Sequence, residues 1–113
     1  MKGRYEAAFI IPVGASKVLC EDGWEFETPN RLSSEIAEFL VDALNLQFSE
    51  NYLGIDRYVG ENIEMSVFYD DQGQIESIQF QLYGDSMTVL VGVFQASSIA
   101  SQSELFIPDR EST

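Results

Sequence analysis

The stretch Ile63-Glu64-Met65-Ser66-Val67-Phe68-Tyr69-Asp70-Asp71-Gln72-Gly73-Gln74-Ile75-Glu76-Ser77-Ile78-Gln79-Phe80-Gln81-Leu82 decides the fold. From Glu61 to Tyr69, Ile63, Met65, Val67 and Tyr69 alternate with Asn62, Glu64, Ser66 and Phe68, a period of two that puts neighbouring side chains on opposite faces of a strand. Asp70-Asp71-Gln72-Gly73 then supplies turn chemistry, with glycine where a positive φ is needed. Ile78, Phe80 and Leu82 resume the alternation against Gln79, Gln81 and Tyr83, and Gly84-Asp85 ends it. Ile75 is out of phase with that set, which predicts either a bulge or a later strand start. The next segment, Met87 to Phe94, has apolar residues at both alternating sets of positions and reads as a third strand, interior to an antiparallel meander.

Upstream, Arg4 to Ile11 alternates as a strand until Pro12 and Gly14 stop it, and Lys17 to Cys20 suits a short second strand. Glu21 to Glu27 reads as an acidic turn or loop around Trp24. Thr28 can cap a helix and Pro29 fits its first position. The helix itself is expected from Ser33 to about Phe48, because Leu32, Ile36, Phe39, Leu40, Ala43 and Leu44 recur at spacings of three and four. Glu35, Glu38 and Asp42 line its opposite face. Tyr52, Asp56, Arg57 and Gly60 read as a connection. The tail from about residue 97 to 113 is serine-rich and has the composition of a flexible segment, and its Leu105-Phe106-Ile107 suits either a late edge strand or an arm.

The expected architecture is a single α+β domain over residues 1–113: an antiparallel sheet of four to five strands, in β-α-β-β-β order, with one amphipathic helix packed on one face. One helix leaves part of such a sheet uncovered. The face bearing Phe68, Gln79, Gln81, Tyr83, Leu90 and Phe94 mixes amides with large apolar groups, which suits an interaction surface or a homodimer.

Size and composition narrow the rest. At 113 residues, 45% of them hydrophobic, the chain has material for one packed core. Its 19 acidic residues against 6 basic ones leave a formal net charge of -13. Between Leu32 and Asp109 thirteen carboxylates face one cation, Arg57. Such a field repels phosphate backbones and anionic lipid, so neither nucleic acid nor membrane is an expected partner, whereas a basic protein is steered towards it. The longest apolar run, Val89 to Phe94, is far below the roughly 20 residues that span a bilayer. No secretion signal is visible, and the lone Cys20 suits a reducing, cytoplasmic compartment.

Catalytic chemistry finds little to work with. The absence of histidine removes the usual general base, the Ser and Cys triads and the His-rich metal sites. Cys20 sits beside Glu21 and Asp22, which disfavour a thiolate. The Asp70 to Glu76 run does not meet the ligand spacing of a calcium loop, and the glycines are scattered rather than gathered into a phosphate cradle. The expectation is a non-enzymatic acidic protein-binding module without cofactor or metal. The bacterial immunity proteins, which neutralise a basic toxin such as a nuclease, exemplify that class. A dimeric secretion-type chaperone or adaptor is the alternative.

The candidate partner-binding residues are Glu21, Asp22, Trp24, Glu25, Phe26 and Glu27, with the two aromatics as anchors among acids. The helix stripe Glu35, Glu38 and Asp42 is the second candidate.

Overall fold

The computed structural model describes residues 5–21 and 23–108. Its elements, in chain order, are β1 (Glu6–Pro12), β2 (Ser16–Cys20), β3 (Gly23–Glu27), α1 (Ser34–Ala43), β4 (Gln47–Tyr52), β5 (Ile55–Gly60), β6 (Ile63–Tyr69), β7 (Ile75–Leu82), α2 (Ser86–Ala96), a 3₁₀ turn (Ser98–Ser101) and β8 (Ser103–Phe106). Six strands form one sheet in the order β4-β5-β6-β7-β1-β8, and β2 and β3 form a separate hairpin. Every described pairing is antiparallel. The class is α+β, with six sheet strands and two α-helices among the described residues where the sequence suggested four to five and one.

The β6–β7 pair follows the reading of its sequence. Ile63, Met65 and Val67 are buried on one face, opposite Leu82, Phe80 and Ile78 respectively. Asp70 ties the turn, its Oδ1 accepting from the backbone N–H of Gln72 at 2.8 Å and of Gln74 at 2.9 Å. Phe68 faces Ser77 while Tyr69 faces Ile75, so Glu76 is the extra residue of a bulge. That inserted residue returns Ile75 to the buried face and resolves its phase.

Met87 to Phe94, expected as a third meander strand, is instead helical within α2. A short run apolar at nearly every position satisfies either period, so its alternation carried no information. The helix buries Met87, Leu90 and Phe94, spaced by three and four, and leaves Val89 53% exposed. Leu90 and Phe94 therefore belong to the core under the helices rather than to the mixed sheet face.

Three further segments differ from their sequence reading. The helix α1 is shorter than expected and is capped by Ser33, whose Oγ accepts from the N–H of Glu35 at 3.2 Å; Thr28 and Pro29 lie before it. After Asn45, held at φ 55, the chain turns into β4 instead of continuing helically. The stretch read as a connection is the β4–β5 hairpin, closed by Leu53 and Gly54, both at positive φ. Gly23 to Glu27 is a strand rather than a loop; Trp24 and Phe26 alternate there with Glu25 and Glu27, again a period of two. The tail supplies β8, the edge strand next to β1.

The two faces of the sheet hold different cores. Ala8, Ile10, Met65, Ile78 and Phe80 pack under Ile36 and Leu40 of α1 and Leu90 of α2. Leu40 and Leu90 have no exposed surface, and each such burial stabilises by about 1.5–3 kcal/mol. On the opposite face Phe9, Ile11 and Phe106 form a smaller cluster, covered by Trp24 and Phe26 of the hairpin. β1 is thus buried from both sides, which matches its near-continuous apolar run.

Candidate partner-binding surface

The acidic candidates divide between these two faces. The hairpin points Trp24 and Phe26 inward, where Trp24 meets Phe106 edge to face at 4.9 Å and Phe26 stands 5.1 Å from Phe9. Both remain half-buried rather than sealed. Glu25 and Glu27, on the alternate positions, are exposed, as is Glu21 at the end of the hairpin. Asp22 lies outside the described residues. A cleft of about 340 Å³ separates Trp24, Glu25 and Phe26 from Phe68, Glu76 and Gln79 of the open sheet face.

Cys20 is next to that hairpin turn. A hydrogen bond with Glu25 raises the thiol above its usual range, with desolvation and the Glu25 charge adding to the effect. Among the described residues the acid acting on the thiol is Glu25 of the neighbouring strand rather than Glu21.

The helix carboxylates border two hollows. Glu38 and Asp42, with Asn45 and Leu46, face Tyr58 and Tyr69 across a groove of about 950 Å³ between α1 and the β5–β7 part of the sheet. Glu35 edges a smaller groove of about 460 Å³ between α1 and α2, lined by Phe39 and Val93. Glu35, Glu38 and Asp42 are all exposed. α1 and the β2–β3 hairpin cover opposite faces of the sheet, so the two acidic candidates do not form one patch.

Residues missed in the sequence reading stiffen the wall of the larger groove. Tyr69 donates its hydroxyl to Asp56 Oδ2 at 2.7 Å, and Asn51 Nδ2 donates to Asp56 Oδ1 at 2.8 Å. Burial raises the Tyr69 phenol well above the usual range, the Asp56 hydrogen bond and charge adding to it. Tyr58 is raised by burial, then by the charges of Asp56 and Glu38. Both rings therefore stay protonated and uncharged at neutral pH, facing a groove rimmed by carboxylates. Asp56 and Arg57 were read as loop residues, and only the hairpin register places Asp56 against Tyr69.

The cations among the described residues are already committed. Arg31 Nε sits 2.8 Å from Asp70 Oδ2, with Nη2 3.7 Å from Glu76. The same guanidinium donates from Nη1 to the Thr28 carbonyl at 2.6 Å. Arg31 holds the Asp70 carboxyl below the usual carboxylate range, helped by the Gln74 N–H. Arg57 lies 3.3 Å from Glu50 and 3.9 Å from Glu64, and Lys17 lies 2.7 Å from Glu104. Among the described residues no cation stands within ion-pair distance of Glu25, Glu27, Glu35, Glu38 or Asp42. Also among the described residues, no three His, Cys, Asp or Glu side chains are grouped to hold a metal ion, and no helix is long and apolar enough to cross a membrane.

No family model, curated protein or solved structure matches the chain.

Proposed function

We propose that this chain is a non-enzymatic acidic binding module that captures a basic protein partner, in the manner of an immunity protein neutralising a cationic toxin such as a nuclease. The observation that carries the reading is the division of charge. Lys17, Arg31 and Arg57 are each tied to carboxylates of the fold, while Glu35, Glu38 and Asp42 stand exposed along α1 with no cation of the described residues beside them. An exposed carboxylate row gains little from its own protein and is available to lysines and arginines of another. Tyr58 and Tyr69 add neutral ring faces beside that row, to which a guanidinium or ammonium is attracted. The α1 face is the stronger seat, since Trp24 and Phe26, the aromatic anchors of the other candidate, are engaged with Phe106 and Phe9.

The test is kinetic. A partner isolated from native lysate and identified by mass spectrometry should be basic, and its association rate should fall at least about tenfold between 50 and 500 mM salt. Glu38→Gln with Asp42→Asn should slow association further while leaving thermal unfolding nearly unchanged. A salt-independent rate, or substrate turnover by the purified chain, overturns the proposal.

A second reading, a dimeric secretion-type chaperone or adaptor, is favoured by the sheet face that the hairpin leaves partly open, where Ser66, Gln79 and Gln81 are only partly buried. A stable dimer at micromolar concentration by sedimentation equilibrium would support it.

A further inference from the structure

The two edges of the sheet are protected very differently. β8 is four residues long, is followed within two residues by Pro108, and is flanked by the Lys17–Glu104 pair and the β2–β3 hairpin. β4 has six residues, every one exposed, and pairs among the described residues only with β5. Proline and lysine, two common guards of a sheet edge, are absent from it.

The backbone of β4 can be oriented from its hairpin. In a two-residue turn the flanking pair, here Tyr52 and Ile55, exchanges both hydrogen bonds, so alternation turns the N–H and C=O of Asn51 away from β5. The side chains beside that edge are apolar and open: Phe48 and Tyr52 are each 58% exposed and Leu53 is 83% exposed. Phe48 lies edge to face with Tyr58, at 5.6 Å, on the α1 side of the sheet. An added strand would therefore bring alternate side chains next to Phe48 and towards the groove that Glu38 and Asp42 border.

We propose that β4 is an acceptor edge on which an extended segment of the basic partner, alternating cationic and apolar residues, adds as a seventh strand. The inference rests on the partner reading above and specifies how the partner is held. Backbone pairing supplies the shared part of the affinity, while Phe48 and the α1 carboxylates select the side chains. A second copy of this chain is the poorer occupant, since two bodies of formal charge -13 repel and neither brings a cation-rich strand. The exposed Glu50 carboxylate disfavours pairing of like edges while leaving a cationic strand electrostatically welcome, and the bulge between Phe48 and Glu50 confines regular pairing to the Glu50–Tyr52 end of β4.

Two ten-residue probes test this, one alternating arginine with valine and one alternating arginine with proline. Their charge is the same, but prolines cannot donate to the edge. The arginine–valine peptide should bind at least about tenfold tighter at low salt and slow amide exchange at Asn51 by a similar factor, leaving the α1 amides unchanged. Equal binding of the two peptides without protection of Asn51 overturns strand addition while the partner reading survives. Binding of neither peptide removes the electrostatic reading and this inference with it. Protection of Asn51 in the protein alone, accompanied by a dimer mass, assigns the edge to a second copy and overturns the proposal.

Discussion

Trp24 meets Phe106 edge to face, with ring centroids 4.9 Å apart and planes at 79°. This contact joins a hairpin near the start of the chain to its last described strand. Lys17 strengthens the same junction, its Nζ 2.7 Å from Glu104 and 5.4 Å from the centroid of the Phe106 ring. Trp24→Ala should consequently destabilise the fold by about 2 kcal/mol, less than a fully buried indole because Trp24 is only half-buried. Urea unfolding measures it. Unchanged stability would show that the hairpin does not depend on the ring and would return Trp24 to the role of partner anchor.

Gly92 and Gly60 should respond in opposite directions to alanine. A Cβ on Gly92 meets nothing within 4 Å, and the residue lies inside α2, so Gly92→Ala should stabilise by about 0.5–1 kcal/mol through helix propensity. At Gly60 the added Cβ would stand 2.7 Å from Leu46 Cδ2 and 3.2 Å from Ile63 Cγ2, both in buried residues, and Gly60→Ala should cost about 1–3 kcal/mol. Thermal unfolding of the two variants distinguishes these outcomes. A destabilising Gly92→Ala would argue against a helix at Met87 to Phe94.

Tyr69 links pH to stability through Asp56. Its phenol is raised in the folded chain, first by burial and then by the Asp56 hydrogen bond and charge, relative to an unfolded tyrosine near pH 10. The folded state thus keeps a proton that the unfolded state releases. The contribution is fully present below about pH 10 and is lost as pH rises from there towards the folded value. Tyr69→Phe should cost about 1 kcal/mol at neutral pH and flatten the decline of stability above pH 10. Denaturant titrations of both proteins between pH 7 and 11.5 check the difference; parallel curves would sever Tyr69 from the alkaline limb.

The sequence was most legible where one period excluded the other. Ile63 to Val67 and Ile78 to Leu82 each alternate cleanly, and both are strands with the anticipated buried face. Ile36 and Leu40 likewise marked the buried stripe of α1, although the helix ends at Ala43, and Leu32 is buried just before it in a bridge to Ile75. Met87 to Phe94 was illegible because an apolar run lacking polar punctuation fits a strand buried on both faces or a helix pressed into a core. The end of α1 was missed because Asn45 has to enter the left-handed region before β4, and nothing in the flanking apolar spacing records that turn.

The candidate surface divides along the same line. Composition alone established that carboxylates far outnumber cations and that histidine chemistry is absent, because charge and residue type do not depend on how the chain is arranged. Which carboxylates the described cations engage, and which face the others share, was settled by pairings across long sequence separations: Arg31 with Asp70, Lys17 with Glu104, Tyr69 with Asp56. Strand register and the side on which the hairpin folds over β1 set those pairings. They separated Glu25 and Glu27 from Glu38 and Asp42 by the thickness of the sheet, and local residue patterns hold no record of that separation.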